Sequence, residues 1–128
     1  MSEASFFKGE KHMTVKEIAQ ILGAEIICRD DLLDTKVESA FGSDMMSDVL
    51  AFVKDQSVLL TGLVNPQVIR TAEMMDTPCI IFVRGKRPDL KMIEMAEDRD
   101  MVILCSELSM FTACGKLYEG GLRGGAGI

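Results

Sequence analysis

The sequence predicts an α/β fold, one domain with a mainly parallel sheet and helices packed on its faces. Three observations carry that expectation. Short apolar runs closed by glycine or charged turns alternate with segments of helical periodicity through most of the chain. The runs at 58–61, 79–83 and 101–105 are continuous instead of alternating, the pattern of strands buried on both faces. The chain has 128 residues, of which 48% are apolar, enough for one core and above the content of a disordered chain.

The stretch 57–87 is the organising unit. Its first strand ends at Thr61 and Gly62 punctuates it. Asn65 is an N-cap, and Pro66 sits at the first helical position, where its missing N–H costs nothing. Val68, Ile69, Ala72 and Met75 follow at helical spacing until Pro78 stops the helix. The run 79–83 is the second strand and Gly85 follows it. Such a strand–helix–strand unit needs parallel strands.

The other elements follow in order. Residues 1–12 are polar and aperiodic and are expected to form a flexible extension, with the domain spanning 13–121. Thr14 and Glu17 fit a capping box ahead of a helix whose apolar face is Val15, Ile18, Ala19 and Leu22, ended by Gly23. A strand at 24–28 leads into a charged turn over which Leu32 and Leu33 fold back. Residues 36–41 predict a half-buried strand of either direction. Ser43 or Asp44 is expected to cap a helix carrying Met45, Val49, Leu50 and Phe52. Pro88 is expected to open a helix with Leu90, Ile93 and Ala96 inward. Ser106 or Ser109 caps the last helix, with Phe111, Cys114 and Leu117 inward and Gly120-Gly121 at its end. Residues 122–128 are glycine-rich and are expected to be a flexible tail.

Composition excludes several classes. The net charge of −6 argues against nucleic-acid binding by the whole surface. No apolar run is long enough to span a bilayer and no secretory signal is visible, so a cytoplasmic protein without membrane contact is expected. Cys28, Cys79, Cys105 and Cys114 are widely spaced and lack a Cys-x-x-Cys arrangement. They read as reduced thiols that behave as small hydrophobes, with no metal and no cofactor. His12 is the single histidine, so no His-based nucleophile system is supported and no catalytic residue is assigned. Neither a dinucleotide fingerprint nor a Walker loop occurs, and the glycines at 120–125 follow a helix instead of opening one.

In parallel sheets, ligands gather beyond the carboxyl ends of the strands. Here those ends offer Thr61, Gly62 and Asn65 on one side and Arg84, Gly85, Lys86 and Arg87 on the other. Three cations around a glycine before a helix N-terminus suit a phosphate or carboxylate. The other reading of the same turn is a solvated basic loop. Ten methionines are many for this length, and the pairs Met45-Met46 and Met74-Met75 cannot both point inward. Some of that surface is expected to meet a partner.

Several segments together resemble a known family. They are Val15-Lys16-Glu17-Ile18-Ala19, Phe41-Gly42-Ser43-Asp44-Met45-Met46, Leu59-Leu60-Thr61-Gly62-Leu63-Val64-Asn65-Pro66, Val83-Arg84-Gly85-Lys86-Arg87-Pro88 and Met110-Phe111-Thr112-Ala113-Cys114-Gly115. The chain resembles the DRTGG domain, in its small stand-alone form encoded beside iron-only hydrogenase genes in anaerobes. The resemblance implies a fold similar to the N-terminal domains of HPr kinase and of Mur ligases. It also implies a non-enzymatic regulatory or interaction domain, homodimeric, serving a redox or hydrogenase system. The alternative is a small-ligand sensor that binds a phosphorylated metabolite or nucleotide at the 84–88 turn. The family's name signature is not intact. Met45-Met46 after Ser43-Asp44 also lacks the arginine that a Mur-type uridine-diphosphate site would carry.

Overall fold

The structure, a computed structural model, describes residues 12–53 and 56–124. The expected extension up to residue 11 and the end of the expected tail lie outside the described residues. Among the described residues, seven strands and five α-helices follow one another. They are β1 (Met13–Thr14), α1 (Val15–Leu22), β2 (Glu25–Cys28), β3 (Lys36–Val37), β4 (Ser39–Gly42) and α2 (Met46–Phe52). Then come β5 (Ser57–Thr61), α3 (Pro66–Met74), β6 (Cys79–Phe82), α4 (Leu90–Asp98), β7 (Val102–Cys105) and α5 (Met110–Glu119).

The main sheet has the order β2-β7-β6-β5-β4. β4, β5, β6 and β7 are parallel to their neighbours, and β2 closes the edge antiparallel to β7. Strand residues 57–61, 79–82 and 102–105 are all buried, as their unbroken apolar runs predict. Consecutive parallel strands step in one direction, so right-handed crossovers put α2, α3 and α4 on the same face. Val49, Ile69, Met92 and Ala96 from those helices pack against Leu59, Ile80 and Phe82. Ile18, Leu22, Ala113 and Leu117 from α1 and α5 pack on the other face against Leu60, Ile81 and Leu104. The result is three layers, helices–sheet–helices. Among the described residues no helix is long and apolar enough to cross a membrane.

Local capping follows the sequence. Thr14 accepts from the Glu17 N–H at 3.1 Å while Glu17 accepts from the Thr14 N–H at 2.8 Å, a complete capping box. Asn65 caps α3, Ser109 caps α5, and Gly23 ends α1 in the left-handed region at φ 59°. Differences lie where partners are distant in sequence. The single strand expected at 36–41 is two pieces: β3 pairs antiparallel with β1, and β4 pairs parallel with β5. Met45, not Ser43 or Asp44, is the N-cap of α2, and Asp89 caps α4 one residue beyond Pro88. Leu90 and Phe111, expected inward, are 70% and 87% exposed. Met92 and Ala113 take the inward positions. Leu122 is fully buried, and the Arg123 carbonyl accepts from the Ala40 N–H at 3.0 Å, so the packed chain runs past residue 121 along β4.

Candidate functional site

The carboxyl ends of β4, β5, β6 and β7 lie side by side. At β5 the chain turns at Gly62 toward the α3 face. At β6 it turns at Arg84 and Gly85, both left-handed, with φ 57° and 71°. The connection after β6 leads to α4 on one face, and the connection after β7 leads to α5 on the other. A crevice between the two is the place where ligands collect in open sheets. Here it is stitched together. The Arg84 N–H donates to the Leu108 carbonyl at 2.7 Å and the Gly85 N–H donates to the Ser106 carbonyl at 2.9 Å. The Glu107 carboxylate lies against Gly85, so close that a Cβ there would meet Oε1 at 2.9 Å.

Asp44 organises the neighbouring β4–β5 end. Its Oδ1 accepts from the Thr61 hydroxyl at 3.0 Å and from the Gly62 N–H at 2.7 Å. The Thr61 oxygen in turn accepts from the Leu63 N–H at 3.1 Å. The Arg84 guanidinium reaches across this turn. A Cβ on Gly62 would stand 3.3 Å from an Arg84 nitrogen and 3.6 Å from Asp44 Oδ1, so glycine is what lets the two charged groups close over the backbone.

The seven residues expected to bind a ligand divide as follows. Thr61 is fully buried and its hydroxyl is engaged with Asp44. Asn65 is engaged in capping, accepting from the Gln67 N–H at 2.8 Å. Gly62 and Arg84 are brought together, and Gly85 carries the turn. Arg87 leans away to Glu25 on β2, at 2.8 Å, and holds the Glu25 carboxyl below its ordinary range by hydrogen bonding and charge. Lys86 is exposed. Among the described residues, Arg84 and Lys86 take part in no ion pair, which leaves two free cations at the turn instead of three. The α4 N-terminus is not open either, since Asp89 Oδ1 accepts from the Met92 N–H at 2.9 Å. Sequence reasoning missed Asp44 and Glu107. The first was read as a cap, although an Asp just past a strand end with a Thr-Gly turn on the next strand is a pattern that pairs them.

Among the described residues no group of three or more His, Cys, Asp or Glu is placed to hold a metal ion. Cys28, Cys79 and Cys105 are buried and Cys114 is half-buried. Burial raises all four thiols, Cys105 to about 11.

The model of the DRTGG domain matches residues 17–119, most of the chain and every element from α1 to α5. The chain belongs to the DRTGG domain family. Among curated proteins no sequence matches it. Among solved structures it is similar to the CBS and DRTGG domains of the regulatory region of Clostridium perfringens pyrophosphatase, solved in complex with the activator diadenosine tetraphosphate. The TM-score is 0.69 at 14% identity, over 92% of this chain and 53% of that one. That likeness is one of fold, and this DRTGG domain spans about half the length of that structure.

Proposed function

We propose that this DRTGG domain is a non-catalytic, cytoplasmic regulatory module, homodimeric, that senses a phosphorylated metabolite or nucleotide at the 84–88 turn. The observation that carries the sensing is Arg84 beside the Gly62 turn, with the exposed Lys86 two residues on, neither of them in an ion pair among the described residues. A phosphate there would gain charge-assisted hydrogen bonds of about 1.5–3 kcal/mol each. Two such bonds supply about 3–6 kcal/mol before association costs, so the rest of the ligand must add contacts of its own to reach about millimolar affinity. The Glu107 carboxylate against Gly85 opposes a bare polyanion. It favours a ligand that offers a phosphate to Arg84 and a donor group, such as a ribose or an amino-purine, to the acid. Membership of a family with a fold relative in a nucleotide-activated regulatory region supports the same reading.

The test is a thermal shift or calorimetry series with adenine nucleotides, acetyl phosphate and pyrophosphate. Binding to the parent protein that is lost in an Arg84→Ala, Lys86→Ala double variant is expected. An unshifted melting temperature with every phosphorylated compound at millimolar concentration overturns the sensor. The domain then remains a protein-interaction module for a redox or hydrogenase-related system, the role implied by the stand-alone form, and a pull-down from native extract identifies that partner. Catalysis is not part of the proposal. At the carboxyl edge the Thr61 and Ser106 hydroxyls are buried inside the fold, Thr61 donating to Asp44 at 3.0 Å and Ser106 accepting from the Leu108 N–H at 3.1 Å.

A further inference from the structure

We propose that the outward face of α5 binds the same face of a second copy of this chain, the two helices crossing at Gly115. The assignment rests on the homodimeric reading above and names the surface that makes it. Two independent observations carry it. The first is apolar exposure: Phe111 and Tyr118 are 87% and 58% exposed. With Gly115 between them they fall at i, i+4 and i+7, on one stripe of the helix. Leu90 and Met74, each 70% exposed, stand singly on other helices, as surface hydrophobes commonly do.

The second observation is Gly115 itself. It lies in the interior of a ten-residue helix, where glycine is the least favourable residue after proline. Among the described residues a Cβ there would meet nothing within 4 Å. The described residues of one copy therefore give no reason for a glycine at this place. The inward side of α5 is filled by Ala113 and Leu117. A glycine in a helix interior points to a packing need, and none of the described residues of the same copy meets it. Its missing side chain lets a second helix backbone approach closely.

Charge selects a second copy over a foreign partner. The molecule as a whole carries −6 and repels itself. The α5 face is an exception. It presents Lys116 and Glu119 together, and Arg123 lies 3.9 Å over the Tyr118 ring. A face with both signs can meet itself about a two-fold axis, where each contact occurs twice. Antiparallel helices crossing at Gly115 set Phe111 of one copy toward Tyr118 and Glu119 of the other. Aromatic side chains bury roughly 150–250 Å² each, so four of them supply about half of a standard interface of roughly 1,600 Å².

The test is sedimentation and light scattering of the full chain at micromolar concentration, with circular dichroism as the folding control. The parent is expected at twice 14.1 kDa. Phe111→Asp and Gly115→Leu are expected to raise the dimer dissociation constant at least tenfold with the fold retained, while Met74→Asp leaves the dimer unchanged. Gly115→Cys is expected to cross-link to itself under mild oxidation, read on a non-reducing gel beside the parent protein. A dimer that survives both α5 substitutions, with no Gly115→Cys cross-link, overturns this face and leaves the homodimer standing. A parent that stays at 14.1 kDa overturns both. Ligand sensing is read separately by the thermal shift series, so the two failures are distinguishable.

Discussion

Asp44 shows how much one carboxylate can organise. One oxygen satisfies the hydroxyl of a fully buried threonine and the N–H of the next residue, and so sets the β5 turn that carries Gly62 under Arg84. Asp44→Ala leaves the Thr61 hydroxyl without its acceptor in a buried place. A cost of about 1–3 kcal/mol is expected, read from the urea midpoint. Asp44→Asn keeps an acceptor and is expected to lose less. Gly62→Ala is a milder probe of the site itself. Its Cβ would press on the Arg84 guanidinium at 3.3 Å, the mobile end of a long side chain, so a loss of ligand response with little loss of stability is expected. The sequence pointed to Thr61, Gly62, Arg84 and Gly85 because strand ends and glycines are local signals. It could not show that Arg87 pairs with Glu25, since that contact depends on β2 standing beyond β7.

Helices were legible wherever their ends are decided by four consecutive residues. Thr14 with Glu17 and Asn65 with Pro66 cap where the sequence places them, and of the two serines offered for the last helix it is Ser109 that caps. Thr14→Ala is expected to cost about 1 kcal/mol, seen as a lowered denaturation midpoint with an unchanged slope. Helix phase was less legible. In 90–98 the stripe Leu90–Ile93–Ala96 competes with Met92–Ala96, and in 110–119 the aromatic Phe111 competes with Ala113. Both helices carry more apolar residues than one stripe holds, so periodicity alone offers two solutions. The sheet decides between them, and it takes the smaller Ala113 on one face and the adaptable Met92 on the other. Strand direction at 39–42 depended on a partner eighteen residues away, since Ser39 is in register with Ser57.

At the scale of the whole molecule, the three layers trap thiols. Cys79 is fully buried in the central sheet, and its pKa is pushed far above the ordinary range by desolvation. Cys105 is raised from 9.0 to about 11, again chiefly by burial. A thiol is neutral when protonated, so the folded state holds its protons to higher pH than the unfolded chain does. Below the unfolded value both states are protonated, and the stabilisation is fully present. Above about 9 the unfolded chain releases protons that the native state keeps, and stability falls until the pH passes about 11 for Cys105 and beyond that for Cys79. The melting temperature is therefore expected to decline as pH rises from about 9 to 11. The comparison that isolates the thiol is Cys105→Ser against the parent. The variant starts less stable because it buries a hydroxyl, but its melting temperature is expected to fall less steeply over the same interval. Parallel slopes for parent and variant would show that the native and unfolded chains hold the Cys105 proton alike. A thiol-reactive dye should tell the same story, reacting slowly with the native protein at neutral pH and with all four cysteines once denaturant opens the sheet.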